Sequence, residues 1–409
     1  MINLPYFKKS VSFASLLITI IVYLQTVSIN YLYAEDILSI KNFIGENDSI
    51  VVKDHNWKTV LSKNADKMLI PASTLKILTS LVALKYLGKN FRFRTEFYMD
   101  KDSNLKIKGY GDPVLISENI KQIAENLNKK LKTINDIVLD DSYFDNDIKI
   151  PGLYEKSTEP YDAPVGALSA NFNTVYFRHI KDGLYESAEP QTPLLPYMLK
   201  RIKNSSINKG RITLSLENNE TTLYFGHLLR FFLGEKGVKT IGDIKIGKIN
   251  FQEDKHIHTY VSNFSLPEII TKLMLYSNNF TANQLLITSG ASLYGPPATL
   301  EKGIRASLSY ADKDLGLKKI DLAEGSGLSR KNRISANMLI RILQEFKPYR
   351  NLMRRRGNEY FKTGTLENIN TRAGYIKNSK GDLYSYVLLI NTPGKTTKKI
   401  TDRLISELN

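Results

Sequence analysis

The chain contains no cysteine, so any nucleophilic catalysis must come from serine, threonine, lysine or a carboxylate. Serine followed three residues later by lysine is one solution. Positions i and i+3 of a helix share a face, so the amine can reach the hydroxyl. That spacing occurs at Ser73/Lys76, Ser103/Lys106 and Ser206/Lys209. Context separates the three. Ser103 enters a predicted strand, and Ser206 lies in a polar turn before Gly210. Only Ser73 opens an apolar helix, just after Pro71-Ala72. At such a helix start, free N–H groups and the helix dipole can stabilise a developing oxyanion.

Two further short patterns follow it. Ser-x-Asn is common by chance and also matches at Ser62/Asn64 and Ser169/Asn171. Ser277-Asn278-Asn279 differs because it falls in a break between two predicted helices, where a hydroxyl and an amide can point into a cleft. Lys362-Thr363-Gly364 begins a segment ahead of Ala373-Gly374 that reads as a strand edge. A glycine on such an edge lets an extended peptide pair closely.

In this order, S-x-x-K, S-x-N and K-T-G resemble the serine acyltransferase set shared by penicillin-binding proteins and class A β-lactamases. Pro71-Ala72-Ser73-Thr74-Leu75-Lys76 is similar to the P-A-S-T-x-K form of D-alanyl-D-alanine carboxypeptidases. Four further segments narrow the resemblance to the class C low-molecular-mass penicillin-binding proteins, which are D-Ala-D-Ala carboxypeptidase/endopeptidases. They are Lys108–Pro113 (K-G-Y-G-D-P), Asp140–Phe144 (D-D-S-Y-F), Ala163–Ser169 (A-P-V-G-A-L-S) and Gly325–Arg330 (G-S-G-L-S-R). The resemblance runs from about Ser49 to the C-terminus. One departure is Asn283-Gln284, where the resemblance leads one to expect Ala-Glu; it reads as a packing or surface change.

The resemblance implies roles. Ser73 attacks the carbonyl of the penultimate D-alanine to give an acyl-enzyme, and Lys76 takes its proton. Ser277 relays a proton to the leaving amine, with Lys362 on its far side, and Asn279 holds the substrate backbone amide. Thr363 and Thr365, flanking Gly364, bind the terminal carboxylate, which β-lactam antibiotics imitate as covalent inhibitors. The N–H groups of Ser73 and Thr365 form the oxyanion hole, water hydrolyses the ester, and Arg330 lines the far side of the cleft. Peptidoglycan stem peptides are the implied partner, and no cofactor or metal is implied. A β-lactamase-like hydrolase and a catalytically silent wall-binding scaffold stay open as alternatives, as does the balance of carboxypeptidase and endopeptidase activity.

These residues need elements to hold them. The 409 residues allow two or three domains. The 204 positions between Ser73 and Ser277 exceed any loop and argue for an insertion. The same gap argues against a class A β-lactamase. The expected fold is α+β: a penicillin-binding/β-lactamase-like transpeptidase domain, an antiparallel sheet covered by helices, interrupted by an inserted α+β region. Residues 35–90 and 255–409 would form the catalytic domain and 91–254 the insertion. Strands are expected over Ser49–Asp54, Thr59–Ser62, Phe91–Tyr98, Leu105–Gly109, Ile134–Leu139, Arg211–Leu216 and Thr222–Tyr224. A hairpin is expected over Thr371–Lys377 and Leu383–Asn391. A capping box at Ser265-Leu266-Pro267-Glu268 starts a helix.

Residues 1–34 read as a secretory signal or a retained N-terminal anchor. Lys8-Lys9 precede an apolar run from Val11 to Leu24, about 21 Å as a helix, short of a ~30 Å hydrocarbon core. The expected location is therefore periplasmic or extracytoplasmic. The net charge of +16 is spread along the chain apart from Arg354-Arg355-Arg356. Spread charge and export argue against a nucleic-acid partner. They suit an anionic wall polymer or peripheral association with a membrane surface, and solubility explains the charge equally well. His256 and His258, alternating on a strand-like segment where they could share one face, read as surface residues rather than a metal site. Trp57, Tyr143 and Phe144 read as packing.

Overall fold

The computed structural model describes residues 38–408 apart from 155, 182 and 216. The signal or anchor segment lies outside the described residues. Among these residues, no helix is long and apolar enough to cross a membrane.

The elements follow in chain order: β1 (Asp48–Lys53), β2 (Thr59–Lys63), α1 (Lys76–Tyr86), β3 (Arg94–Met99), β4 (Leu105–Gly109), α2 (Ser117–Asn128), β5 (Thr133–Ile134) and β6 (Ile137–Asp140). Then come β7 (Thr174–His179), β8 (Tyr185–Ser187), α3 (Leu199–Asn204), β9 (Lys209–Thr213), α4 (Glu220–Glu235), β10 (Lys239–Thr240), β11 (Ile244–Ile246) and β12 (Lys255–Val261). The last third holds α5 (Leu266–Tyr276), α6 (Asn279–Tyr294), α7 (Leu300–Lys313), α8 (Ala336–Phe346), β13 (Arg354–Arg356), β14 (Glu359–Leu366), β15 (Ile369–Lys377), β16 (Leu383–Ile390) and α9 (Thr397–Leu408).

The first two strands and the last four make one six-stranded antiparallel sheet in the order β13-β14-β15-β16-β1-β2. Ile50, Val51 and Val52 are all buried, because β1 lies between two apolar layers. On one face, Val51, Ala373, Tyr375, Val387 and Leu389 meet the apolar stripes of α1, α5 and α8. On the other, Ile50, Val52, Tyr386 and Leu388 pack against Ile400 and Leu404 of α9. This is the α+β, helix-covered antiparallel sheet expected from the sequence.

Between β2 and α5 lies a five-stranded mixed sheet, β11-β6-β4-β3-β12. Its inner face, with Phe97, Ile107 and Leu139, packs on α2 and α4. A three-stranded sheet, β8-β7-β9, lies in the same stretch. β12 pairs with β3 over Lys255–Val261, so this sheet extends past the 254/255 division drawn from the sequence.

Three local expectations are corrected. Thr222–Tyr224 is not a strand but the first turns of α4. There Tyr224, Phe225, Leu228, Leu229, Phe232 and Leu233 are buried at helical spacing, and this packing overrides the β preference of two threonines. The run Ile134–Leu139 is split, because Asn135 N–H bonds to the Ser103 carbonyl and Asp136 N–H to the Asn104 side chain. A bulge between His256 and His258 places them opposite Tyr98 and Phe97, so the two imidazoles take opposite faces of the sheet.

Candidate active site

The site begins at a tight turn. Residues Ala72–Leu75 form a 3-10 turn that runs directly into α1. Side chains at i and i+3 eclipse in a 3-10 turn, so Ser73 and Lys76 stack closely. Lys76 is fully buried, and its Nζ lies 2.8 Å from Ser73 Oγ. It also donates to Asn279 Oδ1 at 2.9 Å and to the Ser326 carbonyl at 2.6 Å. The last two partners can only accept. A neutral amine has two N–H donors and one lone pair, so the remaining direction suits acceptance of the Ser73 hydroxyl proton. Burial, reinforced by the positive charge of Lys362, holds Lys76 well below the usual lysine range, and Glu324 opposes this.

The second motif is placed by a left-handed residue. α5 ends at Tyr276, and Ser277 adopts φ 58° as its cap. Asn278 then caps α6, accepting the Thr281 N–H at 2.8 Å. The chain reverses over these residues and leaves the Ser277 hydroxyl against Lys362 and the Asn279 amide against Lys76. Asn279 Nδ2 donates at 3.2 Å to the carbonyl of Tyr161, which lies in the inserted stretch.

The third motif lies within β14. Lys362 is 2% exposed, and its Nζ donates to Ser277 Oγ and to the Thr363 carbonyl, each at 2.7 Å. Burial, with the nearby charge of Arg354, lowers it to about 7. Gly364 is required by proximity: a Cβ there would stand 2.7 Å from the Ser73 nitrogen. The strand therefore runs against the nucleophile turn, and Thr371 Oγ1 on β15 ties it there with a 2.7 Å bond to the Pro71 carbonyl. β13 pairs with Glu359–Phe361 only, so the outer side of Lys362–Leu366 has no strand partner among the described residues. Thr365 is exposed on this open stretch, and Thr363 is half-buried.

Five of the sequence-selected residues thus form a chain in two separate hydrogen-bonded pieces, Ser73–Lys76–Asn279 and Ser277–Lys362. Thr363, Gly364 and Thr365 lie along the adjoining strand. Arg330 stands apart from the chain. It is exposed and donates at 2.6 Å to the Glu367 carbonyl, just beyond β14. The carbonyls of Ser326 and Tyr161 were not foreseen, because a backbone acceptor has no signature in residue type. Asn283 and Gln284 are not surface residues but buried. Gln284 donates to the Gly111 and Gly166 carbonyls at 3.1 and 2.9 Å and accepts the Gly166 N–H at 3.2 Å, clamping two inserted turns onto α6. Among the described residues there is no cluster of three or more histidine and carboxylate side chains that could hold a metal ion.

The pattern of the D-Ala-D-Ala carboxypeptidase 3 (S13) family matches residues 35–205 and 200–355. The chain belongs to this family. Among curated relatives, the D-alanyl-D-alanine carboxypeptidase DacB of Haemophilus influenzae is 22% identical over 85% of this chain and 86% of its own. The D-alanyl-D-alanine carboxypeptidase of Actinomadura sp. strain R39 is 23% identical over 82% and 76%. The crystal structure of penicillin binding protein 4 (dacB) from Haemophilus influenzae superposes with a TM-score of 0.73 at 20% identity, covering 90% of this chain and 97% of that one. That protein has also been solved in complex with a β-lactam. In this S13 chain the fold is therefore that of a penicillin-binding protein.

Proposed function

We propose that the protein is a serine D-alanyl-D-alanine carboxypeptidase/DD-endopeptidase. It acts on peptidoglycan stem peptides outside the cytoplasm through an acyl-enzyme, and β-lactams inhibit it. The observation that carries this reading is the environment of Lys76, which has two acceptor-only partners and one hydroxyl around a buried amine.

The mechanism follows from the contacts. Ser73 Oγ attacks the carbonyl of the penultimate D-alanine while its proton passes to Lys76 Nζ. The attack puts negative charge on the carbonyl oxygen, which the N–H groups of Ser73 and Thr365 receive. Ser277 Oγ, backed by Lys362 Nζ, delivers a proton to the departing amine. Asn279 orients the acyl peptide, and Thr363 and Thr365 bind the carboxylate of the leaving residue. The peptide pairs as a strand along Lys362–Leu366, and water then releases the acyl group. Arg330, at the end of that strand, faces the acidic portion of the stem. We take residues 91–262 as the insertion; through Tyr161 and Gln284 it braces the helix that bears Asn279.

Labelling with a fluorescent penicillin tests the reading, with Ser73→Ala as the control. The wild type is expected to take up one covalent label that persists for minutes, and the variant none. Turnover of the penicillin within seconds would favour a β-lactamase, and absence of any adduct a silent scaffold. Muropeptide monomers and cross-linked dimers, with products weighed by mass spectrometry, assign the peptidase activity.

A further inference from the structure

One buried charge beside this site has no part in the scheme above. Glu324 is 0% exposed, and no cation touches its carboxylate among the described contacts. Instead it gathers N–H donors. Oε2 accepts from Ser326 N at 2.6 Å and Asn283 Nδ2 at 3.1 Å. Oε1 accepts from Gly327 N at 2.7 Å, Ser329 N at 3.2 Å and Asn332 Nδ2 at 2.8 Å. An ionised carboxyl is acceptor-only, and these five donors suit it. Burying a charge is costly, so a charge solvated only by N–H groups asks for a reason.

The reason lies in what this arrangement fixes. The two backbone donors nearest in sequence belong to Ser326 and Gly327. Folding them around the carboxylate turns the Ser326 carbonyl the other way, onto Lys76 Nζ at 2.6 Å. Two more bonds hold the loop in place: Asn283 Oδ1 accepts Gly325 N at 2.7 Å, and Thr79 Oγ1, one turn along α1 from Lys76, donates to the Gly325 carbonyl at 2.6 Å. Gly327, at φ 82°, packs so closely on the Ala72 carbonyl that a Cβ would collide with it. The loop is thus a rigid wall, shaped around one anion, that abuts the residue before the nucleophile.

We propose, resting on the peptidase reading, that Glu324 is a positioning residue for the Ser–Lys pair. It aims the Ser326 carbonyl at Lys76 and supplies the negative field in which Lys76 becomes an ammonium during acylation. The charged groups that reach Lys76 are Lys362 from β14, which disfavours its ammonium, and Glu324, which favours it. Arg354 from β13 acts on Lys362. Burial and Lys362 both disfavour the ammonium form of Lys76, and Glu324 is the charge that opposes them. A general base must be neutral before the reaction and still proton-hungry in the transition state. Glu324 supplies the second requirement without touching substrate, and its attraction for Lys76 grows as the charge on Lys76 develops.

The test is the pH profile of the second-order rate of labelling by a fluorescent penicillin, measured on wild type, Glu324→Gln, Glu324→Asp and Asn283→Ala. Wild type that takes no label at Ser73 would dispose of the peptidase reading itself. Given labelling, Glu324→Gln is expected to lower the plateau roughly 100-fold, as a small misplacement of catalytic groups does. It should also move the acid limb to lower pH, because Lys76 loses the anion that favours its ammonium. Glu324→Asp and Asn283→Ala keep the charge, so they should lower the plateau with the acid limb in place. A purely structural role lowers plateaus and moves no limb, so a folded Glu324→Gln with an unmoved limb overturns the proposal. If Glu324→Gln does not fold, the other two decide. Plateaus unchanged in both, or a limb displaced in either, overturn it as well.

Discussion

Replacing Lys362 by methionine should stabilise the protein at neutral and acidic pH while destroying its labelling. The side chain keeps its length and loses its charge. In the folded chain, burial and the charge of Arg354 bring Lys362 from 10.5 to about 7. That gap of roughly 3.5 pH units corresponds to about 5 kcal/mol. Below pH 7 the lysine is protonated in both folded and unfolded chains, and the full burial penalty is present. Between 7 and 10.5 the unfolded chain still binds the proton and the folded chain does not, so wild-type stability rises with pH. Methionine also gives up the bonds to Ser277 Oγ and the Thr363 carbonyl, together worth about 2 kcal/mol. Lys362→Met should therefore be more stable than wild type by about 3 kcal/mol at pH 6, and less stable by about 2 kcal/mol above pH 10.5. Urea unfolding followed by fluorescence at a series of pH values measures the difference. A difference that stays constant from pH 6 to 10 would refute the reasoning, whatever its sign.

Asp112, buried in the K-G-Y-G-D-P turn, is pushed up to about 6 by burial. Its folded value lies above its unfolded one, so its contribution is present at low pH and is lost as pH rises through 6. Asp112→Asn should match wild type near pH 4 and exceed it by up to about 3 kcal/mol at pH 8, read by urea unfolding at both. Arg372 of β15 is clamped by Glu359, at the start of the K-T-G strand, through Nε–Oε1 at 2.7 Å and Nη2–Oε2 at 2.5 Å. Arg372→Met should cost about 3–5 kcal/mol by stranding the carboxylate, and the Arg372→Met/Glu359→Met double variant should recover most of it. Gly327→Ala forces a side chain into the Ala72 carbonyl at positive φ. Its labelling rate should fall about 100-fold through displacement of the nucleophile turn, and an unchanged rate would show that the turn yields freely.

The candidate site residues were legible because each motif combines a residue type with a break in pattern. Ser73 precedes an apolar helix, Ser277 interrupts two, and Lys362 precedes the alternating strands of the sheet. Packing from both sides also left a trace, since the continuous apolar run of β1 signals a strand covered on each face. Other features left none. The Ser326 and Tyr161 carbonyls are contributions of the main chain, which any residue could make. Thr222–Tyr224 read as a strand because two β-favouring residues, Thr222 and Tyr224, outweigh helical spacing in so short a window, while the buried stripe from Tyr224 to Leu233 decides the matter only once a sheet lies beneath it. The partner of β12 was hidden because pairing with β3 spans more than 150 positions, and local pattern carries no information at that range. Asn283 and Gln284 are polar and amide-bearing, the composition of a surface, yet each is buried among partners that only the folded chain supplies: the Glu324 carboxylate and Gly325 N–H for Asn283, and the main chain of Gly111 and Gly166 for Gln284.

The brevity of β13 has a consequence for what the protein refuses. An unpaired strand edge invites any extended chain, including a second copy of the same protein. Here the free stretch is Lys362–Leu366, about 17 Å at ~3.4 Å per residue, and three exposed arginines stand at its threshold. A second copy docking edge to edge would put its own three arginines at the other end of the same short stretch, and a long strand would run out of partners after a few residues. A short, acidic peptide meets neither obstacle. The sorting of guests thus begins with length and sign of charge, before any side chain of the guest is read.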